Sequence, residues 1–324
     1  MKPVCAVLGV ARSNVIDRLA RPADWIDGRA LARLDPVADA MIAEAVRAEI
    51  TALPTYGYRR AGALVNRTRS LMGLRPVNHK RMYRVMKAQG LLLPKSPKRR
   101  DSGRAHDGKV AVEESNQRWC SDGFEIACDN GDVVTGVFMK DCCDREIIAW
   151  RAWIGRGLLG EPVGDMMIEV VETHFGSTDE RAITLEFLSD NGGAFRAIET
   201  HALAHELGIK PVHTPVNSPQ SNGMAESFVN TFKRDYVGSM DLSTGTVVLT
   251  QLPDAFRHFN EVHPHSALGY KSPRMFRKER PCQALETDAN LGNSVGVVRL
   301  LLTATIFTFN LFATIGDYTE NIAV

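Results

Sequence analysis

The stretch NQRWCSDGFEIACDNGDVVTGVFMKDCCDREIIAWRAWIG, residues 116–155, decides the fold. β-branched and aromatic residues concentrate in its three apolar runs, which is typical of strands. Asp129-Asn130-Gly131 separates the first two runs and is a strong signal for a tight hairpin turn. The stretch therefore predicts three consecutive strands that pair as an antiparallel meander.

The chain that follows alternates between helical and strand patterns. We predict a helix over about 159–175, a strand ITLEFLSD at 183–190, a helix over about 195–207, a short strand at 209–212 and a helix after Gly223. A three-strand meander followed by helix, strand, helix, strand and helix indicates an α/β fold, with a mixed five-stranded sheet and flanking helices.

The residues before the sheet indicate an α-helical region. CAVLGVARSNVIDRLA (5–20) has the pattern of a helix-turn-helix, and a second helical pair is predicted over about 59–72 and 77–89. In the last of these helices three cations share one face and three apolar side chains the opposite face: Lys80, Arg84 and Lys87 against Met82, Val85 and Met86. Such a helix can present cations to the major groove of DNA, although any solvated basic helix shares the pattern.

Charge is distributed unevenly along the chain, although the formal net charge is only +1. Residues 54–110 hold fifteen Lys or Arg and two acidic residues, whereas residues 111–324 hold seventeen basic and twenty-nine acidic residues. A block this basic attracts polyanions through Coulomb attraction and counterion release, so we expect it to bind nucleic acid. A merely solvated basic face is the alternative. PKSPKRRDSGRAHDGK (94–109) has no apolar periodicity and is interpreted as a flexible linker at a domain boundary.

Cysteines and apolar segments restrict the compartment. The six cysteines form no CxxC pair and no zinc-ligand spacing, and the N-terminus has no signal-peptide pattern, so a reduced cytosolic compartment is expected. LLLTATIFTFNLFATI (300–315) is uncharged, but sixteen residues are few for a bilayer-spanning helix, and no membrane association is expected. We expect Cys142 and Cys143 to be buried packing residues, and His263 and His265 to be structural or DNA-facing rather than metal ligands.

Three acidic residues are candidates for the chemistry. Asp122 lies in the first predicted strand among apolar neighbours, Asp190 ends the fourth strand before a Gly-rich turn, and Glu226 lies in the first turn of a helix. Singly, they could be an edge-strand charge, a turn or capping residue and an acid that complements a helix dipole. Together they offer the oxygen ligands that magnesium prefers. A pair of such ions can activate a nucleophile and stabilise a leaving oxygen in phosphodiester chemistry.

The helix that carries Glu226 has a second informative residue. Glu226, Asn230 and Lys233 share one face beside an apolar stripe, with Lys233 two turns after Glu226. An acid on this face can reach metal ions at the edge of the sheet while the lysine reaches a DNA phosphate. In the preceding loop, Asn217, Gln220 and Asn222 are candidate hydrogen-bonding residues for a DNA strand, with turn and capping chemistry as the alternative for each.

Several motifs resemble one known family. W-x-x-D in the first strand, SDNG at the end of the fourth and SPQSNGMAES before the helix resemble the DDE catalytic core of retroviral-integrase-like transposases. The resemblance is closest to the orfB-type product of bacterial insertion sequences that encode their transposase in two frames, and it covers roughly residues 1–285. Further similar blocks are PTYGYRR (54–60), KRMYRVMKAQGLL (80–92), ESNQRWCSDGFEIACDNG (114–131), DCCDRE (141–146) and HPHSALGYKSPR (263–274).

The resemblance implies a ribonuclease-H-like fold and a DNA transposase of a bacterial insertion sequence. Such an enzyme cleaves DNA at the element ends and joins the 3′-hydroxyl to another phosphodiester, with Asp122, Asp190 and Glu226 as catalytic residues that hold Mg²⁺ or Mn²⁺, two ions in all. The implied partners are the terminal repeats, target DNA, an upstream orfA product or a fusion with it, and further copies of the chain. The implied location is the bacterial cytoplasm, at the nucleoid. The alternatives are a nuclease of the same fold that only hydrolyses DNA, and a non-catalytic DNA-binding regulator or decayed copy.

These interpretations assign regions and DNA contacts. We predict a helical DNA-binding region at 1–93, a basic linker at 94–113, the catalytic core at 114–240, a helical extension at 241–285 and an atypical apolar tail at 286–324. The expected DNA contacts are Lys233, Asn217, Gln220 and Asn222 beside the acids, and Arg59, Arg60, Lys80, Arg81, Arg84 and Lys87 in the helical region.

Overall fold

A computed structural model describes residues 2–22, 24–25, 35–51, 53–94, 110–176, 185–214 and 222–280. Most of the predicted linker, the loop residues Asn217 and Gln220 and the predicted tail lie outside the described residues. Residues 1–279 belong to one compact unit. None of the helices in the described ranges is long and apolar enough to cross a membrane.

Five helices precede the sheet in the part of the chain that the structure describes. They are α1 (Lys2–Val7), α2 (Arg12–Leu19), α3 (Pro36–Thr51), α4 (Tyr58–Leu71) and α5 (His79–Ala88). The turn between α1 and α2 contains Gly9 at φ +65, a left-handed conformation that glycine adopts without steric cost. The predicted helices at 59–72 and 77–89 are confirmed as α4 and α5, whereas α3 was not predicted.

Helices α3, α4 and α5 pack around a small apolar core of their own. Ile42, Val46, Val65, Met82 and Met86 are buried in it. The apolar face predicted for α5 is therefore confirmed as the packing face, since apolar burial is the main source of stability for a short amphipathic helix.

The opposite face of α5 differs in part from its prediction as a cation surface. Lys80 and Lys87 are exposed. Arg81 and Arg84 instead form ion pairs with Asp39 on α3, at 2.7 and 2.9 Å. Two of the four predicted cations on this helix thus hold α5 against α3.

The sheet has the predicted mixed architecture. Its strands are β1 (Arg118–Ala127), β2 (Val133–Asp141), β3 (Ile147–Ile154), β4 (Leu185–Ser189) and β5 (Ile209–His213), in the order β3-β2-β1-β4-β5. The first three strands pair antiparallel, and β4 is parallel to both β1 and β5. The turn between β1 and β2 includes Gly131 at φ +90, in agreement with the predicted hairpin.

Helices cover both faces of this sheet. One face packs against α6 (Gly160–Phe175), α7 (Gly193–Arg196) and α8 (Ile198–Glu206). The other packs against α9 (Gly223–Asp235) and α10 (Gly245–Glu261) through an aromatic cluster that contains Phe124, Phe138, Phe228, Phe232 and Phe256. A short 3₁₀ helix (Ser266–Leu268) and α11 (Pro273–Glu279) follow.

Gly136 on β2 makes room for one of these rings. A Cβ atom at this position would lie 2.3 Å from the Phe124 ring, which leans across the strand. Phe124 in turn contacts Phe232 of α9, with ring centroids 5.6 Å apart. The glycine therefore allows α9 to lie close to β1, and this packing sets the position of the site described below.

The helical region and the sheet region share packing. Leu53, Tyr56 and Leu64 belong to the same apolar cluster as α9 and α10. The Tyr56 hydroxyl lies 2.7 Å from Nδ1 of His263, a ring that is buried and whose pKa burial lowers to about 2. The predicted domain boundaries at 93 and 113 stay predictions, with α4 in direct contact with the sheet's aromatic layer.

Predicted packing residues are found in the interior. Cys142 and Cys143 are buried, as expected from the sequence. None of the described cysteines forms a disulfide bond. The ring of His265 packs edge-on against Phe259, with centroids 4.9 Å apart, and burial lowers its pKa to about 2 as well. Both histidines are therefore neutral members of the core.

Candidate active site

The register of two parallel strands brings Asp122 and Asp190 together. Cys120 on β1 lies beside Leu188 on β4. Each aspartate follows two residues later, so both acids emerge from neighbouring strands at the same level of the sheet. Open α/β sheets commonly bind ligands beyond the carboxyl ends of their parallel strands, which is the direction in which these acids lie.

Glu226 approaches the two aspartates from α9. It lies in the first turn of the helix and is exposed, while Ala225 and Phe228 on the adjacent face are buried against the sheet. Lys233 follows on the same face of α9 and is also exposed. The packing of α9 on β1 therefore places an acid and a cation beside the two aspartates.

The pKa of Asp122 reflects the charges of Asp190, Glu226 and Lys233. Burial and, to a smaller extent, the charges of Asp190 and Glu226 raise its pKa to about 6. A hydrogen bond from the Gly123 N–H to Asp122 Oδ1, at 2.8 Å, and the charge of Lys233 act in the opposite direction. Negative charge is thus concentrated here with little compensation, which is the condition under which a carboxyl group retains its proton.

Backbone contacts hold the loop that carries Asp190. Its Oδ1 accepts a hydrogen bond from the Gly192 N–H at 2.9 Å. A Cβ atom at residue 192 would lie 2.9 Å from that oxygen, so glycine is the residue that leaves this carboxylate its position. The side chain of Asn191 donates to the Thr214 carbonyl at 2.8 Å and ties the loop to the end of β5.

Two histidines behind Asp190 were missed in the sequence analysis. His213 Nδ1 lies 3.1 Å from Ser189 Oγ, and its Nε2 lies 2.8 Å from Nε2 of His201. Burial lowers the pKa of His213, which favours the neutral ring. The only sequence signal was the position of His213 at the end of a short strand. The pair supports the end of β4 next to Asp190.

Asn222 connects α9 to the strand of Asp122. Its Nδ2 donates to the backbone carbonyl of Ser121 at 3.0 Å, and the side chain is buried. Its Oδ1 is buried as well and has no hydrogen-bond partner among the described residues. Asn222 was predicted to contact DNA. In this arrangement it fixes the start of α9 relative to Asp122, because the buried amide is not presented to a ligand.

The other predicted DNA contacts have varied environments. Arg60 forms an ion pair at 2.8 Å with Asp235, a fully buried carboxylate on α9. Arg59 is exposed, and its Nε donates to the Tyr58 hydroxyl at 3.0 Å. Arg60 thus joins α4 to α9, whereas Arg59, Lys80, Lys87 and Lys233 remain at the surface.

The donor set fits a hard divalent cation. Carboxylate oxygens are the only side-chain ligands that the three acids supply, and Mg²⁺ and Mn²⁺ prefer oxygen. The negative charge around Asp122, which raises its pKa, is of the sign that attracts such a cation. Within the described ranges, no group of three or more His, Cys, Asp or Glu side chains is close enough to hold a metal ion as the side chains stand.

The fold and these acids define an integrase-type class of polynucleotidyl transferase. A family described as an integrase core domain matches residues 112–219, and a second with the same description matches residues 207–273. The chain is 47% identical over 282 residues to the transposase InsD of insertion element IS2A/D/F/H/I/K of Escherichia coli, with 87% of this chain and 92% of that protein covered. It is equally similar to the transposase InsD of IS2-9 of Escherichia coli (strain K12), where 87% and 90% are covered.

The chain therefore belongs to the InsD family of insertion-element transposases. Among solved structures, the BIV integrase catalytic core overlaps with a TM-score of 0.36 at 18% identity, covering 51% of this chain and 95% of that one. A chain of the simian T-cell lymphotropic virus intasome overlaps with a TM-score of 0.41 at 13% identity, covering 71% and 76%. Overlaps at this level are too partial to bear on function.

Proposed function

We propose that this transposase cleaves DNA at the ends of its element and joins the released 3′-hydroxyl to another phosphodiester, with Asp122, Asp190 and Glu226 as the metal-binding acids. The observation that carries the proposal is the matched position of Asp122 and Asp190 on neighbouring parallel strands, with Glu226 contributing to the same electrostatic field. Three acids from distant parts of the chain gain nothing structurally from this proximity, because like charges repel.

Two Mg²⁺ or Mn²⁺ ions bound there would activate the attacking oxygen and stabilise the leaving oxygen of an in-line displacement. The residues of the chain have distinct tasks around that chemistry. Asp122 holds its carboxylate in the middle of β1, Asp190 follows directly after the end of β4, and Glu226 adds a carboxylate whose longer side chain adjusts from an exposed helix position.

Lys233 is proposed as the contact to a DNA phosphate. It is exposed, it lies two helical turns after Glu226, and its charge acts on Asp122. A cation two helical turns away from Glu226 lowers the repulsion between a phosphodiester and the three acids without forming an ion pair with them. Asn217 and Gln220 remain proposed contacts to the same strand from the loop outside the described residues.

The proposed partners are the terminal repeats, target DNA, an upstream product or a fusion with it, and further copies of the chain. Exposed apolar side chains on the first two helices support a partner segment in this region: Val4, Val7, Leu8, Ile16 and Leu19. We retain the predicted boundaries 1–93, 94–113, 114–240 and 241–285 as proposals for the DNA-binding region, linker, catalytic core and extension.

The test compares wild type with Glu226→Gln on labelled, pre-nicked duplexes that carry the element's terminal repeats, in the presence of Mg²⁺ or Mn²⁺. Wild type should give longer, joined products that are absent with Glu226→Gln. The matched control is Glu172→Gln, an exposed glutamate on α6, which should join DNA as wild type does.

Other outcomes separate the alternative functions. Products that are cut but never joined would support a nuclease. Binding without any reaction would identify the chain alone as a DNA-binding fragment, and the upstream product would then be added. Joining by Glu226→Gln at the wild-type rate would overturn the assignment of the acid.

A further inference from the structure

A groove separates the helical region from the segment that follows the 3₁₀ helix. It has a volume of about 500 Å³ and lies between α4, α5 and residues 269–270, with Tyr58, Arg59, Asn66, His79, Gly269 and Tyr270 among its lining residues. A second groove of about 400 Å³ shares the lining residues Asn66, Gly269 and Tyr270 with it. A volume of this size is typical of small-ligand sites.

Tyr270 lines both grooves, and its backbone has an unusual conformation. Its φ is +65 and follows Gly269 at φ +64, which is the left-handed region that a bulky side chain rarely adopts. The Tyr270 N–H donates to the His265 carbonyl at 2.7 Å, and the His265 N–H donates to the Lys271 carbonyl at 3.0 Å. Strain of this kind persists where the surrounding fold enforces it, and it is common at ligand sites.

The ionisable residues that line the grooves favour an anion. Arg59 and His79 line the first groove, and Arg67 and Lys271 line the second. No Asp or Glu lines either groove in the described part of the chain. Arg67 donates to the Val262 carbonyl at 3.1 Å and Lys271 pairs with Glu279, so Arg59 is the cation best placed for a ligand.

Two tyrosines position Arg59. Its guanidinium lies 5.5 Å from the centre of the Tyr58 ring, its Nε donates to the Tyr58 hydroxyl, and Tyr270 forms a further hydrogen bond with it. These contacts raise the pKa of Arg59 and hold the charge at the mouth of the groove. An aromatic ring beside a fixed cation matches a base that stacks and a phosphate that carries negative charge.

We propose that this groove binds an unpaired nucleotide of DNA, with its base stacked on Tyr270 and its phosphate at Arg59. Base pairing and stacking hold the bases of a duplex inside the double helix. A base that enters the groove therefore comes from single-stranded DNA. The site lies between the helical region and residues 269–270 and contains none of the three acids. Its role within the DNA transposase is to hold a single strand while the acids act elsewhere.

The test measures binding of a fluorescent single-stranded oligodeoxynucleotide to the full chain, in a chelator so that no metal-dependent reaction occurs. A second oligodeoxynucleotide of the same length carries abasic sites. Wild type should bind the ordinary strand about tenfold more tightly than the abasic strand, since stacking requires bases. Tyr270→Asn should remove this difference, and asparagine tolerates the left-handed backbone, so the variant should fold. Tyr270→Phe retains the ring and should preserve the difference.

Arg59→Ala should weaken binding of both strands several-fold and reduce its salt dependence. Arg257→Ala, an exposed arginine paired with Asp254 on α10, is the matched control and should bind as wild type does. Equal wild-type affinity for ordinary and abasic strands, or an unchanged difference in Tyr270→Asn, would overturn the proposal. A change in sedimentation of Tyr270→Asn with unchanged strand binding would assign the groove to contacts between copies instead. Failure of joining would leave this binding result intact, because the two assays use different conditions and residues.

Discussion

Two clusters of acidic side chains lie on the same sheet. The proposed metal-binding acids are Asp122, Asp190 and Glu226. The second cluster, here called the turn acids, comprises Asp141, Asp144 and Glu146 between β2 and β3. Burial raises the pKa of Asp122 to about 6 and that of Asp141 also to about 6. By that measure alone the two clusters are indistinguishable.

Their hydrogen bonds differ. Asp141 accepts from the backbone N–H groups of Asn116 and Cys143, both at 2.7 Å, and also from that of Asp144 at 3.2 Å. Glu146 forms ion pairs at 2.9 Å with both Arg274 and Arg277 of α11. The turn acids are therefore neutralised from within the chain, and they hold α11 against the sheet.

The proposed metal-binding acids have no such partners. Asp122 and Asp190 each accept one backbone N–H from a residue close by in sequence, and no described residue forms an ion pair with either of them or with Glu226. A raised pKa thus marks burial in both places, and the unmet charge of Asp122, Asp190 and Glu226 supports our proposal that these acids bind a cation.

The largest expected effect separates the clusters by activity. Asp122→Asn should lower DNA joining by about 100-fold or more, because it removes a metal ligand. It should also raise the free energy of unfolding in metal-free buffer by about 1 kcal/mol, since it removes a buried, repelled charge. Joining assays and urea unfolding measure the two effects. The control is Asp165→Asn, an exposed aspartate on α6. A variant that loses stability along with activity would contradict the comparison.

Glu146→Gln should have the opposite signature. It removes the ion pairs to Arg274 and Arg277, and should lower the free energy of unfolding by about 2 kcal/mol, because a carboxylate that is largely buried holds two partly exposed guanidinium groups. Urea unfolding at neutral pH measures the change. Unchanged stability would show that the turn acids do not serve as an internal brace for α11.

Lowering the pH should change stability in two opposite directions, depending on the group that takes up the proton. His263 has a pKa of about 2 in the folded chain, below the value of roughly 6.5 expected when unfolded. Below pH 6.5 only the unfolded chain takes up this proton, so the histidine should cost about 1.4 kcal/mol of stability per pH unit as the pH falls. Acidic side chains whose pKa is raised in the folded chain have the opposite effect. Below about pH 6 they take up protons in the folded chain first, which stabilises it. Thermal melts from pH 7 to 5.5 should therefore show falling stability in wild type and a flatter profile in His263→Gln.

Divalent cations should have a modest effect on stability. Mg²⁺ or Mn²⁺ at about ten times its dissociation constant should stabilise wild type by about 1.4 kcal/mol, which corresponds to a rise in Tm of about 2–4 °C. Glu146→Gln should retain this rise, and Asp122→Asn should lose it. A metal-dependent rise in Asp122→Asn equal to that of wild type would place the cation elsewhere.

Pattern-based prediction succeeded where one element's own residues decide the outcome. The hairpin around Gly131, the apolar face of α5 and the amphipathic α9 follow from local geometry and periodicity. It does not reach contacts with partners from distant segments. Arg81 and Arg84 stay predicted DNA contacts, but their pairing with Asp39 could not be inferred from the sequence. His201 and Asn222 likewise take their roles from β5 and β1.

The sequence by itself determined the succession of the five strands and the helices among them, and the family, and it nominated the three candidate acids, because spacing and residue type can be recognised without a structure. Only the tertiary structure decided that Asp122 and Asp190 meet at one level of two parallel strands, and that the turn acids are neutralised while the other acids are not. The position of Tyr270 beside residues 58–82 of its groove also depends on the tertiary structure. Long-range pairing depends on how faces pack, and a sequence pattern specifies which face is apolar without specifying its neighbour.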